Sequence, residues 1–273
     1  MAIKNKTNTN INTNVSWIAF KTMVKRDLLI QARDKWEFVF RVAMLPFMLI
    51  LLYGYILPKV GLVPETFPTQ MFPGIVGMSI LVTGIHGTAV PLTMDFNMSR
   101  EIEDRLMAPV NVRIVALAKM FVGIIESWIG GLIVLPLSII FMGSSLKLTL
   151  NLQQILVLIP ILLLAAISSA TLGLLVGTII KPSQIAAMFP GFLIPMVFLG
   201  AIFFSWNALT VTPIIKILVL VNPLVYVNEA LRAVITPQIT HMPIFYSVLG
   251  IVLSILIMGY FGAKRFIGMA KGK

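Results

Sequence analysis

The run Ser99-Arg100-Glu101-Ile102-Glu103-Asp104-Arg105-Leu106-Met107-Ala108-Pro109-Val110 gathers the side chains best equipped for specific chemistry: five of its first seven residues are ionic, in a chain that is 11% charged. Their types suit recognition rather than catalysis. Arg100, Glu101, Glu103, Asp104 and Arg105 carry both charge signs on one short amphipathic segment, a pattern that orients a partner and rejects wrong ones. Leu106 and Met107 add an apolar anchor. A solvated helix steadied by Glu101 and Arg105 at i,i+4 spacing is the alternative. In either case the segment stands outside hydrocarbon, where one ionised side chain costs about 2.5–3.5 kcal/mol.

Two further ionisable residues fall inside long apolar stretches, His86 and Glu126. Burying such groups is costly, which makes them functional candidates. Glu126 reads either as a transport group or as a buried acid held by interhelical hydrogen bonds, and no second acid at similar depth completes a proton relay. His86, flanked by Gly84 and Gly87, reads as a packing or hydrogen-bonding residue. The other histidine, His241, is expected on the opposite side of the membrane, so a metal site is not expected. The chain has no cysteine, which removes disulfides, thiolate metal sites and thiol catalysis together. No Gly-x-x-x-x-Gly-Lys-Ser/Thr loop is present to cradle phosphates, and no His, Asp and Ser cluster stands at catalytic spacing. The chain is therefore expected to be no enzyme, to have no catalytic residues and to bind no cofactor of its own.

These residues need a scaffold, and composition says which. At 58% hydrophobic and a mean hydropathy of +0.98, 273 residues carry more apolar surface than a soluble domain buries. The expected fold is an all-α, polytopic membrane protein with six transmembrane helices, at about 38–57, 72–92, 114–142, 155–180, 185–204 and 245–266. Residues 1–14 form an Asn/Thr/Lys-rich tail expected to be disordered and cytoplasmic; 15–273 form one domain. Trp17, Phe20, Val24 and Leu28 share one helical face, which predicts an N-terminal interfacial helix over Trp17–Trp36. No apolar core of signal-peptide length precedes Phe38, so the first span is expected to stay in the mature chain. Between the fifth and sixth spans, Ser205–Ile244 is semi-apolar and broken by Pro213, Pro223, Pro237 and Pro243, which predicts short outer-leaflet re-entrant helices rather than another span. Gly173-x-x-x-Gly177 predicts close helix packing within the chain. Pro190 and Pro195 interrupt the fifth span, marking either a pathway element or a simple kink.

Seventeen of the 21 Lys and Arg fall on one side of this topology, counting Lys119 with the second-to-third connection, against four on the other: Lys59, Lys147, Lys216 and Arg232. The positive-inside rule then puts both termini and the charged segment in the cytoplasm. Topology also accounts for the net charge of +11 without invoking nucleic acid. On the outer side, Glu229 and Arg232 at i,i+3 are the only opposite-charge neighbours. They read as a gate holding the short helices or as an ordinary local pair worth a few tenths of a kcal/mol if exposed.

The segment Arg105-Leu106-Met107-Ala108-Pro109-Val110, followed by Arg113 and Lys119, resembles the charged loop helix of the permease subunits of type-2 ATP-binding-cassette (ABC) exporters, which ends in a Leu-x-x-Pro-Val-like turn. Phe72-Pro73-Gly74 at the second span and Asn222-Pro223-Leu224-x-Tyr226-x-x-Glu229-Ala230-Leu231-Arg232 before the last are similar to that family's motifs and fall in its order; the Gly often found early in its loop helix is missing near Arg100. The resemblance implies a cytoplasmic coupling helix (Arg100, Glu101, Glu103, Asp104, Arg105, Leu106 and Pro109) docked on a separate ABC ATPase subunit, in two copies, which binds ATP and Mg. It further implies a second copy of the permease or a paralogue, and export of a hydrophobic or amphiphilic substrate such as a drug, lipid or lipid-linked glycan across the cell (inner) membrane. Asn222, Pro223, Tyr226, Glu229 and Arg232 are the expected outer gate, and membrane lipid is an expected partner. The competing expectation is an ATP-independent secondary transporter or channel, for which Glu126 is the supporting residue.

Overall fold

The computed structural model describes residues 13–97, 112–143, 146, 148 and 150–270. The expected coupling residues Arg100, Glu101, Glu103, Asp104, Arg105, Leu106 and Pro109 lie outside them, as do residues 1–12 of the expected tail. Among the described residues all regular structure is helical. In chain order it comprises α1 (Thr13–Arg33), α2 (Lys35–Lys59), α3 (Phe67–Asn97), α4 (Val112–Met142), α5 (Leu152–Gly177), α6 (182–198), α7 (Pro213–Val221), α8 (Pro223–Ile235) and α9 (Ile244–Ala270).

Five of these, α2, α3, α4, α5 and α9, are long and apolar enough to cross a membrane. The α7–α8 pair, bent by 99° at its junction, makes a sixth if it is one broken span. The fifth expected span, at 185–204, differs from expectation. Helix α6 stops at Phe198 and is about 25 Å long at 1.5 Å per residue, short of roughly 30 Å of hydrocarbon. Pro190 lies in a π-helical turn over Phe189–Leu193, as a proline without an amide N–H disturbs the α-helical ladder. Beyond Phe198 the chain turns through Ala201, whose φ of +56° leaves helical geometry, and the carbonyls there bond to side chains of α8. The fourth span also ends earlier than 155–180 predicts, at Gly177.

Helix α3 is the axis of the bundle, packed against α2, α4, α5 and α8. Lipid supplies no hydrophobic drive between helices, so close van der Waals contact and interhelical hydrogen bonds must hold the bundle. The sequence provides both. A β-carbon on Gly173 would come within 2.8 Å of Thr88 and 3.1 Å of Ile85 Cα, and one on Gly177 within 2.9 Å of Ala89 Cα, so the Gly173-x-x-x-Gly177 pattern seats α5 on α3 within one chain. The Ser79 hydroxyl donates to the Gly130 carbonyl at 2.8 Å, Ser127 and Ser169 hydroxyls meet at 2.8 Å, and Thr93 donates to the Gly177 carbonyl at 3.2 Å. Large apolar side chains such as Leu132, Ile139 and Ile140 on α4 and Phe245, Leu256 and Ile257 on α9 face outward instead.

Candidate functional site

The elbow between α7 and α8 is built by residues whose local roles are plain in the sequence. Pro223 occupies the first turn of α8, where its missing N–H costs nothing. Asn222 caps that helix: its Oδ1 accepts from the Leu224 N–H at 3.0 Å, and its Nδ2 donates to the Met196 carbonyl at 2.7 Å on α6. Tyr226, one turn on, donates its hydroxyl to the Leu220 carbonyl at 2.8 Å and so fixes the bend. Its ring lies on Gly250 of α9, a position without room for a β-carbon.

Glu229 and Arg232 continue the same helix face and are both fully buried, which excludes the reading of an exposed local ion pair. They bond to each other, and both carboxylate oxygens of Glu229 and the second guanidinium nitrogen of Arg232 also bond to backbone on either side. Glu229 accepts from the Trp206 N–H at 2.9 Å and the Met242 N–H at 2.6 Å. Arg232 donates to the Ala201 carbonyl at 2.8 Å and the Ile202 carbonyl at 3.4 Å, and Asn228 donates to the Gly200 carbonyl at 2.6 Å. One face of α8 thus ties down the turn after α6, the 3₁₀ turn beginning at Trp206 and the residues that lead into α9. Non-glycine residues adopt the left-handed conformation of Ala201 only at a cost of about 1–2 kcal/mol, and the Arg232 bond to its carbonyl helps hold it there. The structure therefore brings Asn222, Pro223, Tyr226, Glu229 and Arg232 together around one elbow.

At the other end of α3 stands a second ion cluster, one the sequence reading missed. The Lys119 ammonium on α4 lies 2.7 Å from Asp27 Oδ2 on α1 and 2.8 Å from Asp95 Oδ2 on α3, and Lys119 is 3% exposed. Lys119, expected with the second-to-third connection, is instead two turns inside α4 and faces inward. The signal was present, since Lys119, Gly123, Glu126 and Gly130 recur at helical spacing along the inward stripe of α4. Around the ions, Val24 of α1 packs with Ala118 and Val122, and Phe20 meets Phe121 edge-to-face at 5.6 Å. The last turns of α9 reach the same end, where Phe266 packs on Leu92, Val115 and Phe96. Helix α1, the end of α9, the end of α3 and the start of α4 therefore share one end of the bundle.

Glu126 lies two turns further along α4, 1% exposed, with its carboxyl against Gly87 of α3. Neither carboxyl oxygen has a hydrogen-bond partner among the described residues. His86, the neighbour of Gly87, is buried on α3. The two sequence candidates thus fall beside one helix interface. Among the described residues no three His, Asp or Glu side chains gather as metal ligands.

The order of the three sequence motifs, a multi-pass apolar bundle and a capped elbow before the last helix all point to a transport subunit. Comparison with curated proteins gives no match. The family model described as ABC-2 type transporter matches residues 18–236, which takes in α2 to α8, both ion clusters and the charged connection. The chain belongs to the ABC-2 type transporter family, the membrane permease component of type-2 ABC transporters.

Proposed function

We propose that the chain is the permease subunit of an ATP-driven exporter, working as a homodimer or with a paralogue beside two copies of an ABC ATPase subunit. The carrying observation is the family match over residues 18–236, which covers the charged connection as well as the helices. Permeases of this family work with an ABC ATPase, and this chain has no phosphate-binding loop of its own. ATP and Mg are then held by the partner.

In this reading the cell (inner) membrane holds the bundle with both termini cytoplasmic, and lipid covers the apolar faces of α4 and α9. Arg100, Glu101, Glu103, Asp104 and Arg105 recognise the ATPase subunit by charge, with Leu106 as anchor and Pro109 ending the helix. Closure of the ATPase pair moves this segment and with it α3. The α7–α8 elbow is the outer gate: Asn222, Pro223 and Tyr226 set its angle, and Glu229 with Arg232 fastens the turn after α6 to it so that the two move together. The substrate class is a hydrophobic or amphiphilic molecule, such as a drug, lipid or lipid-linked glycan. Support for it is the apolar interior and the adaptable methionines, 16 in the chain.

The test is to purify the tagged chain in mild detergent from its native host. A stoichiometric soluble ATPase that is lost on E101K/E103K/D104K supports the reading; an ATPase retained unchanged by that reversal removes the docking role. The buried carboxyl of Glu126, without a hydrogen-bond partner among the described residues, favours one second reading, an ATP-independent transporter. A chain that arrives alone and moves solute in liposomes without ATP, in a way E126Q abolishes, selects that second reading.

A further inference from the structure

The Asp27–Lys119–Asp95 cluster occupies a particular place in the chain. Asp95 stands three residues before the connection that begins at 98, and Lys119 two helical turns beyond its end at 111. One ammonium therefore ties the helix that leads into the charged connection to the helix that leads out of it, at 2.8 Å, and ties both to α1 at 2.7 Å. The contact is side chain to side chain throughout, between three elements far apart in sequence.

Buried ion clusters add little net stability compared with well-packed apolar residues, because desolvation offsets their attraction. Nothing in the packing requires charge here, since Val24, Ala118, Val122, Phe20 and Phe121 already join α1 to α4. What charge adds is selectivity among arrangements. Lysine is a compact charge with three donors, able to hold two carboxylates at once. If either acid moves away, the other remains paired, so the cluster can pass between a closed and an opened state. If the lysine moves, the charge that joins the two acids across the three helices goes with it.

We propose that Lys119 is a positioning residue that makes α1, the end of α3 and the start of α4 move as one body, so that displacement of the 98–111 connection by the ATPase subunit reaches the far end of α3. This rests on the exporter reading above. Without the clamp the connection moves and α3 does not follow; ATP is hydrolysed without a response at the α7–α8 elbow.

The natural chain has no cysteine, so a single reporter can be introduced. Gln238 is exposed in the loop between α8 and α9, beyond the opposite end of α3 from Asp95. In the full complex with its ATPase subunit, Q238C is labelled with a membrane-impermeant maleimide, with and without Mg-ATP plus vanadate. A several-fold change in labelling rate is expected with the clamp intact. The triple variant Asp27→Asn/Asp95→Asn/Lys119→Met keeps volume without charge. It should assemble with the ATPase subunit and hydrolyse ATP at the natural rate, while the nucleotide-dependent change in labelling falls below about 1.5-fold. A full response in the triple variant overturns the proposal, as does a reporter that ignores nucleotide with the clamp intact.

Should the triple variant fail to fold, the exchange Asp95→Lys/Lys119→Asp keeps the same charges on exchanged helices. It should restore at least half of the response that Lys119→Asp alone removes. An exchange no better than the single variant overturns the proposal. Failure of the exporter reading is seen earlier and separately, as a natural chain that purifies with no ATPase subunit.

Discussion

The two ion clusters at opposite ends of α3 use the same chemistry for different ends. Glu229 and Arg232 lie one turn apart on one helix, are fully buried, and give their remaining bonds to backbone amides and carbonyls of the neighbouring turns. Asp27, Lys119 and Asp95 come from three helices and bond through side chains, with the acids keeping 10% and 13% of their side-chain surface in contact with solvent. A pair bonded to backbone is a staple: it cannot let go without orphaning several buried groups. A cluster of side chains with water at its margin can open by rotamer changes and reform. The first is built to hold an irregular turn in one shape, the second to join bodies that move.

The comparison breaks most visibly at Arg232. Arg232→Met leaves the Glu229 carboxylate buried without its counter-ion and the Ala201 carbonyl without its donor, a loss of about 3–5 kcal/mol for a broken buried pair. The detergent-solubilised chain should lose most of its monodisperse yield, and Glu229→Gln/Arg232→Met should regain part of it. Lys119→Met should cost less, about 3 kcal/mol at most, because water reaches both acids. Its effect should also be local. Amide exchange in α1 should speed up by about a hundredfold, the same figure at 1.4 kcal/mol per decade, while α8 keeps its protection. Equal loss of protection in α8 would show that the two clusters are one cooperative unit.

How much of this could be read in the sequence follows from the same contrast. The elbow is built from residues close in sequence: the prolines predict broken short helices, Glu229 and Arg232 stand at i,i+3, and Asn222, Pro223 and Tyr226 are singled out by the family resemblance rather than by their caps and bonds. Its burial was not legible, since the backbone groups that consume Glu229 and Arg232 come from 201–206 and 242. The Lys119 cluster was illegible as a cluster, joining residues 27, 95 and 119, although the inward stripe of α4 carried a hint. The all-helical, multi-pass plan could be read from apolar length alone. The end of α6 could not, because nothing local to Leu199–Ser205 says that its carbonyls are taken by Asn228 and Arg232.

Helix α3 is the rod between the clusters, and its seating sets how stiffly they are connected. Gly84→Ala would place a β-carbon 2.8 Å from Ser169 Cβ, where the neighbour is a short side chain on a packed helix. Overpacking of this kind costs about 1–3 kcal/mol, expected as a lower melting temperature and weakened protection at both ends. Gly259→Ala in α9 is the control. Its β-carbon would sit 3.7 Å from Thr171 Cγ2, an ordinary contact, and the helix propensity gain of about 0.5–1 kcal/mol should leave it neutral or slightly stabilised.

The smallest expected effect separates the clusters by solvent contact. Raising ionic strength from about 0.1 M to 1 M shortens the Debye length from about 10 Å to about 3 Å, which weakens interactions that ions in solution can reach. Glu229 and Arg232 have no exposed surface, so the stability difference between the natural chain and Glu229→Gln/Arg232→Met should not change with salt. The acids around Lys119 touch solvent, so the difference between the natural chain and the uncharged Asp27→Asn/Asp95→Asn/Lys119→Met should shrink by a few tenths of a kcal/mol. Thermal melting of the three proteins across a salt series measures both. Opposite salt behaviour supports a sealed staple at the elbow and an openable clamp at Lys119; a flat response in both would mean that water does not enter the Lys119 cluster and that it opens no more readily than the elbow.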